Sequence, residues 1–312
     1  MRRRPTGVAH GRSRRTGPAL VLLGCLAALL LGGCAKPAGV DGRLTDDWVP
    51  VSEPKPFTPE SGVCHATDYA ESGSLATFNP VDCAQPHRTE TFHVGTFTGA
   101  AAAAAAPPKE ASAAWQATYA QCDQQARTFL GDDFREGRLW VGVVVPTAAG
   151  WRGGSRWYRC ELAEIGNVEE YEDPVSRSGS LAGVLKAASP LRLTCYQVTA
   201  EADGSIGKMA AAACNRPHNS EFAGVYRAPA GSYPRTDAAW EKLHAGCLRV
   251  VGTYAKVPAD ANLKFRSGTV VVPNLPADWA AGNRGIRCYL YLSGAKLTRS
   301  LAGAGAAALP VR

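Results

Sequence analysis

A pattern of cysteine, proline, histidine and glutamate occurs twice in this chain, and this duplication constrains the fold more than any other sequence feature. Cys64 is followed 19 residues later by Cys83, and Cys195 is followed 19 residues later by Cys214. The later cysteine of each pair opens the same string, Cys-x2-Pro-His-x2-Glu. Self-similarity of this kind is the signature of a repeated structural unit. The sequence therefore predicts one module present in two copies.

The two copies continue with the same elements downstream. Each contains Trp-x6-Cys, which places Cys122 in the first copy and Cys247 in the second. Each then closes with Val-Val-Val-Pro followed by Trp-x2-Gly-x-Arg-x2-Arg-Cys, which ends at Cys160 and Cys288. We therefore predict modules over 59–172 and 189–302, a linker over 173–188 and a disordered tail over 303–312.

The same secondary structure is predicted in both copies. Apolar residues recur at helical spacing after Trp115 and after Trp240, and Gly131 and Gly252 stand where C-cap glycines belong. Runs rich in β-branched residues, each ended by a proline, predict strands. The predicted fold class is α+β: two tandem homologous modules, each a small antiparallel sheet with one packed helix, stapled by disulfides.

The N-terminus predicts an exported lipoprotein. Six arginines and no acidic residue precede an apolar run over 19–31, which is typical of a signal peptide. The run ends in Leu-Gly-Gly-Cys, the pattern of a bacterial lipobox, so Cys34 is the predicted lipidation site and 1–33 the leader. Cys25 is a second candidate, although cleavage there would leave half of the apolar run in place. Residues 34–58 are Pro-rich and predict a tether.

Once the leader is removed, the charge balance excludes a nucleic-acid-binding protein. Six of the 34 basic residues lie in the leader, which leaves 28 basic against 27 acidic residues. We therefore expect the mature protein on the extracytoplasmic face of the plasma membrane, held there by its lipid anchor. The expected partner is an envelope or division protein or a cell-wall polymer, with no nucleic acid.

Eight of the ten cysteines remain after the leader and the lipidated position, four in each predicted module. An even number in an exported protein predicts disulfides, two per module, and four cysteines allow three pairings that the sequence leaves open. Zinc is the alternative, but no cysteine pair has the C-x2-4-C spacing and only one histidine recurs. No metal and no cofactor are expected.

The repeated polar residues permit two interpretations. His87 with Glu90 and His218 with Glu221 could serve acid–base chemistry, but a turn followed by a strand explains them more simply. Residues three apart on an extended strand point to opposite faces, so each histidine and glutamate should not meet. The polar brace hypothesis pairs each glutamate with the arginine of the closing string. Its arginines are Arg156 and Arg284.

The combination Cys…Cys-x2-Pro-His-x2-Glu…Trp-x2-Gly-x-Arg-x3-Cys resembles the septum-formation domain family of actinobacteria. The resemblance covers both predicted modules, and it implies an exported or membrane-anchored envelope protein linked to cell division. It supplies no catalytic residues. The first module departs from the pattern by a run of seven alanines over 100–106, which we interpret as a loop insertion.

The function that these observations predict is non-catalytic: a lipid-anchored binding or scaffolding protein of the cell envelope, with a role in septum formation. The first alternative is an extracytoplasmic enzyme that acts on cell-wall material through His87 or His218. The second is a lipoprotein that captures a ligand in a cleft between the modules. A cleft lined with aromatic residues would favour the second alternative, and flexibly separated modules would count against it.

Overall fold

The structure, a computed structural model, describes residues 55–168, 174–202 and 205–312. The predicted leader, Cys34 and nearly all of the tether lie outside these residues. At the described end of the tether, Phe57 packs on Phe78 and Trp157, with ring centroids 5.3 and 6.0 Å apart. No helix in the described ranges has both the length and the apolar character needed to cross a bilayer.

The first half, residues 55–188, builds one five-stranded sheet in the order β1-β3-β5-β4-β2. All neighbours pair antiparallel except β2 and β4, which pair parallel, so the expectation of a purely antiparallel sheet is wrong at this edge. The strands are β1 (Val63–His65), β2 (Ser72–Gly73), β3 (Thr89–Thr96), β4 (Leu139–Pro146) and β5 (Trp157–Glu164).

One long helix packs on this sheet. It is α2 (Ala113–Leu130), and the short helices α1 (Gly99–Ala103) and α3 (Ala148–Arg152) flank it in the chain. The Ser112 hydroxyl caps the start of α2 by accepting from the Trp115 amide, and Gly131 ends it at a φ of 90°. The predicted apolar stripe is confirmed, since Trp115, Cys122 and Leu130 are all buried. The alanine run forms α1 and the loop after it.

The second half, residues 189–312, repeats this plan with a sheet in the order β7-β6-β8-β10-β9, antiparallel throughout. Its strands are β6 (Cys195–Ala200), β7 (Ile206–Ala212), β8 (Ser220–Arg227), β9 (Gly268–Val272) and β10 (Gly285–Tyr291). Its helices are α4 (Asp237–Ala255) and α5 (Pro276–Ala281). The described part of the chain is thus a mixed α+β structure with two five-stranded sheets and four disulfides.

The end of α4 differs from the prediction. Gly252 is not the C-cap, because α4 continues to Ala255 and Lys256 takes the left-handed conformation at a φ of 55°. A Cβ atom at Gly252 would lie 3.1 Å from a Leu263 methyl group. Glycine at this position therefore serves the close approach of Leu263 to the helix, and not helix termination.

Two segments predicted to be a linker and a disordered tail belong to the folded structure. Leu181 and Leu185 of the 173–188 segment are buried in the core of the first half. Leu309 of the 303–312 segment is 1% exposed and packs in a core cluster of the second half, and its carbonyl accepts from Arg266. Burial of apolar side chains holds both segments in place, so the disordered-tail prediction is wrong.

The two halves share apolar packing. Ile165 and Val168, from the end of the first half, lie in one cluster with Leu193, Phe222 and Tyr289 of the second half. Backbone hydrogen bonds join the same region, since the Leu193 amide donates to the carbonyl of residue 136 at 2.9 Å. The halves are therefore packed directly on one another.

A buried charge network reinforces this junction. Arg135 is fully buried; it donates to Asp133 at 3.0 Å and reaches into the second half to Asn283 at 2.8 Å. Arg287 of the second half donates to the Arg135 carbonyl at 3.2 Å. A side chain at Gly285 would collide with the Arg135 guanidinium, since its Cβ would lie 2.2 Å from the Nε atom. A buried cation with these partners fixes the two halves in one arrangement.

Candidate functional site

The eight cysteines of the repeated strings form four disulfides, two in each half, and none of these bonds joins one half to the other. Cys64 pairs with Cys83 and Cys195 with Cys214, so each bond closes a loop of the same 19-residue separation. The other two bonds fasten each long helix to a central strand, α2 to β5 and α4 to β10. They join Cys122 to Cys160 and Cys247 to Cys288. The prediction of disulfides is confirmed, and the structure chooses the pairing that the sequence left open.

The turn that contains His87, the first of two histidine turns, is buried. His87 is 1% exposed, and its backbone exchanges two hydrogen bonds with Arg177, each of 2.9 Å. Its ring Nδ1 lies 2.8 Å from the Gln85 carbonyl oxygen. The ring Nε2 has no hydrogen-bond partner among the described residues. The histidine therefore closes a turn and presents no atom to solvent.

The second histidine turn has the same backbone role but one additional contact. His218 is fully buried and exchanges backbone hydrogen bonds with Leu297, and its Nδ1 lies 2.7 Å from the Arg216 carbonyl. Its Nε2 lies 3.1 Å from the Glu221 carboxylate. The expectation that the two side chains point apart is wrong here. Strand β8 begins only at Ser220, so the backbone between the two residues is not a regular strand.

Each of the repeated glutamates accepts hydrogen bonds from a further repeated string, which was not identified from the sequence. Glu90 accepts from the Ser180 hydroxyl at 2.6 Å and from the Leu181 amide at 2.7 Å. In the second half, Glu221 accepts from the Ser300 hydroxyl at 2.8 Å and from the Leu301 amide at 3.0 Å. The serine and leucine belong to Ser-Leu-Ala-Gly at 180–183 and 300–303. This string is visible in the sequence and could have identified both partners.

The polar brace hypothesis is wrong in both halves. Arg156 donates to the carbonyls of Ala102 and Trp151, at 2.6 and 2.7 Å, and the Nε of Arg284 has no described partner. The strand register explains the separation. The amide of Phe97, seven residues after Glu90, donates to the Arg156 carbonyl. At about 3.3 Å per residue, the arginine and the glutamate lie roughly 20 Å apart along the strand.

Neither turn fits a metal. Two groups of potential ligands lie close together in the described part, Cys64 with Cys83 and Glu90, and Cys195 with His218 and Glu221. The cysteine sulfurs in both groups are joined in disulfides. A disulfide sulfur lacks the thiolate charge that binds zinc. The turns are therefore anchors of the fold.

A cleft of about 400 Å³ lies between the two halves and is the candidate functional site. The first half contributes the segment around Tyr69, one face of α2 and strand β4, and the second half contributes α5. Ligand sites are typically concave, mostly apolar and located at such junctions. The aromatic residues that line the cleft are Tyr69, Trp115, Tyr119 and Trp140.

Two of these rings form one wall of the cleft. Tyr69 and Trp140 meet edge to face, with centroids 4.6 Å apart and planes at 74°. The Tyr69 hydroxyl donates to the Val143 carbonyl at 2.6 Å, and the Trp140 Nε1 donates to Asp278 at 3.4 Å. A side chain at Gly142 would collide with both rings. The rings are therefore fixed before any ligand arrives.

Four acidic residues also line the cleft: Asp68, Glu71, Glu110 and Asp278. Burial raises the pKa of the Asp278 carboxyl, although hydrogen bonds from Trp140 and from the Leu275 amide oppose the shift. Burial and the nearby charges of Glu71 and Asp278 raise the pKa of the Glu110 carboxyl. Like charges close together disfavour the ionised form of each group. The cleft is therefore an acidic site.

The cleft is held open by contacts between its two sides. The Gln116 side chain on α2 donates to the Ala280 carbonyl on α5 at 2.9 Å. The hydrogen bond from Arg135 to Asn283 also joins the two halves. Sequence reasoning named the cleft only as an alternative and assigned no residues to it. Most of its residues lie outside the repeated strings, so no sequence signal groups them.

Comparison with known proteins identifies the family. The model of the septum-formation family matches residues 61–288, which is more than half of the 312-residue chain. The chain therefore belongs to the septum-formation family, and the resemblance found in the sequence is confirmed. No curated protein matches the chain, and no solved structure does.

Proposed function

We propose that this chain is a non-catalytic binding protein of the cell envelope that acts in septum formation and engages its partner through the cleft between its halves. Membership of the septum-formation family supports the link to the septum. In this proposal lipidated Cys34 anchors the protein to the outer face of the plasma membrane. The Pro-rich tether then holds the folded part away from the bilayer.

The cleft is the observation that carries the proposal. It combines a volume of about 400 Å³, four aromatic residues and four carboxylates in one concave surface. A cleft of this kind is what the ligand-capturing alternative requires, so binding and ligand capture become one function at one site. The shared apolar cluster that includes Ile165 and Leu193 supports a preformed site, because it joins the halves.

We also propose that the two halves are tandem copies of one module. The shared features are the paired disulfides, the order of four strands and the glutamate that holds Ser-Leu-Ala-Gly. The strand order β1-β3-β5-β4 of the first sheet corresponds to β6-β8-β10-β9 of the second. The sheets differ at one edge strand each, β2 and β7, where the copies have diverged.

The enzymatic alternative has less support. An acid or base must come within hydrogen-bond reach of a substrate. His87 and His218 are at most 1% exposed, and their Nδ1 atoms already face backbone carbonyl oxygens. We therefore expect replacement of both histidines to act through stability alone.

Photo-crosslinking in intact cells tests the proposal. A photoreactive amino acid replaces Glu71 at the rim of the cleft, and a matched variant carries it at Glu241 on α4. Both positions are exposed, and only the first lines the cleft. We expect a discrete crosslinked product from position 71 and none of the same mass from position 241.

Two further outcomes decide between the functions. The same product from both positions would show that the cleft does not determine binding, and no product from position 71 would overturn the proposal. Loss of function in a folded His87→Ala/His218→Ala variant with unchanged crosslinking would favour the enzyme instead.

A further inference from the structure

We propose that the cleft recognises an organic cation, namely an ammonium group carried on a small apolar body. This inference deepens the proposed function, since it rests on the cleft being the binding site and names the chemistry of its ligand. It follows from three properties of the lining residues: ring surface, charge and spacing.

Four aromatic side chains line the cleft, of which Tyr69 and Trp140 are half-buried and offer most of the ring surface, while Trp115 and Tyr119 are each 4% exposed. Tyr69 and Trp140 form one wall, and Trp115 and Tyr119 on α2 contribute the other rings. The negative face of an aromatic ring attracts an ammonium group within about 6 Å of its centroid, most strongly in tryptophan. Aromatic rings also provide apolar surface for the body that carries the charge.

The charged side chains that line the cleft are all acidic, although the buried cations Arg135 and Arg287 lie near enough to oppose the rise that burial causes in the pKa of Asp278. All four acidic residues named above line the cleft, and no lysine or arginine is among its described lining residues. Asp68 is ion-paired with Arg88, and Asp278 accepts from Trp140. The carboxylates of Glu71 and Glu110 make no hydrogen bond or ion pair with another described residue. These two carboxylates are therefore available to a cation that enters.

The mutual repulsion of the acids supports the same ligand. The pKa of Glu110 is raised by burial and by the charges of Glu71 and Asp278. A cation between these groups would remove this repulsion, whereas an anionic ligand would increase it. Affinity for a cation should accordingly fall as the pH is lowered and the carboxyls are protonated.

The spacing of the acids favours an organic cation over a metal ion. A bound metal needs several ligand atoms around one point, at about 2.0–2.6 Å from it. The two metal-like groups found in the described residues lie at the disulfide-linked turns, and neither contains an acid of the cleft. Carboxylates that are spread around aromatic walls suit a cation several atoms wide.

Calorimetric titration of the full-length chain in a non-ionic detergent tests this inference. The probes are choline, its uncharged isostere 3,3-dimethylbutan-1-ol, and calcium ion. Choline and the isostere share shape, so their difference isolates the charge. We expect choline to bind at one site about tenfold more tightly than the isostere. Calcium should not compete with choline.

Matched variants locate the site. Glu71→Gln/Glu110→Gln removes two exposed charges from the cleft and should weaken choline binding about tenfold while leaving the isostere unchanged. Glu241→Gln, an exposed substitution outside the cleft, should change neither probe. Ala277→Trp places a bulky ring at an exposed lining position and should block both probes.

Three results would overturn the inference. The first is that choline and its isostere bind with equal affinity and that Ala277→Trp blocks both. The cleft would then be a binding site for a neutral ligand. The second is competition by calcium, and the third is no binding of choline. In each case the crosslinking experiment still decides the proposed function, because it requires no assumption about ligand charge.

Discussion

The histidine turns and the cleft differ in their exposure, and the difference is the opposite of what the sequence suggests. The turns carry the histidine and glutamate that suggest chemistry and that recur in both halves, yet His87 and His218 are buried and serve the backbone. The cleft is open, aromatic and acidic, and among its lining residues only Trp115 and Val143 are fixed positions of the repeated strings. Duplication in this chain therefore marks the residues that build the fold.

The correspondence of the two halves makes this contrast specific. When positions are counted from the nearest repeated residue, Tyr69 and Trp140 of the cleft align with alanine and serine in the other half, and Glu110 aligns with arginine. Asp278 of the second half corresponds to glycine in the first. Four residues of the cleft are thus peculiar to one half. Tyr69 and Trp140 meet within the first half, whereas Asp278 reaches Trp140 only because the halves pack on one another.

The largest predicted effect comes from the turn in the second half. Glu221→Ala removes the acceptor of the Ser300 and Tyr254 hydroxyls and of the buried Leu301 amide, and it also removes the contact of Glu221 with buried His218. The free energy of unfolding should fall by about 3–5 kcal/mol, as measured by urea denaturation. Glu241→Ala, on an exposed helix face, should change it by less than about 0.5 kcal/mol. A small effect of Glu221→Ala would mean that the turn is not an anchor.

The next prediction separates stability from binding with two disulfides of equal loop length. Removal of Cys64–Cys83 or of Cys195–Cys214 by paired alanine substitution should cost about 3 kcal/mol in either case. Only the first loop contributes to the cleft, through Asp68, Tyr69 and Glu71. Choline binding should therefore weaken in the first variant and stay unchanged in the second. Equal loss of binding in both folded variants would contradict the contrast between the histidine turns and the cleft.

The junction between the halves should respond to pH through Glu136. Burial and the charges of Asp132 and Asp133 raise the pKa of the Glu136 carboxyl from its ordinary value of 4.5 to about 7. Because the folded state holds this proton more tightly, stability falls as the pH rises from about 4.5 to about 7. Glu136→Gln should remove this loss. The free energy of unfolding of the variant, relative to that of the wild type, should therefore be about 1 kcal/mol higher at pH 8 than at pH 5. Parallel pH profiles of the free energy of unfolding for the wild type and Glu136→Gln would contradict this prediction.

The smallest effect is expected at the cleft. Glu110→Gln changes an exposed residue with no described partner, so the free energy of unfolding should stay within about 0.5 kcal/mol of the wild type. Thermal unfolding at pH 7 checks this. A clear loss of stability would show that the acid serves the fold and would weaken the contrast between the two regions.

The extent to which the sequence predicted the structure depended on how local each feature is. The helix stripe containing Trp115 and Cys122 and the C-cap at Gly131 follow from spacing along one element, and both were predicted. The contact of His218 with Glu221 was missed, since it depends on where β8 begins. The Ser-Leu-Ala-Gly strings were missed: the first was assigned to a polar linker, and the second lay at the boundary between the predicted second module and the predicted tail.

The cleft could not have been predicted from the sequence for a physical reason. Trp140 and Asp278 are 138 residues apart and meet only through the packing of the two halves. That packing depends on Arg135, whose partner Asn283 lies 148 residues away. Neither residue belongs to a motif, and no periodicity links them.

The most direct test of the account compares crosslinking from position 71 in two tryptophan variants. Ala277→Trp obstructs the cleft, and Ala120→Trp adds the same side chain to an exposed position on α2 outside it. Both leave every repeated residue in place. The account predicts that Ala277→Trp abolishes the crosslinked product while Ala120→Trp retains the wild-type yield. Equal yields from the two folded variants would contradict it.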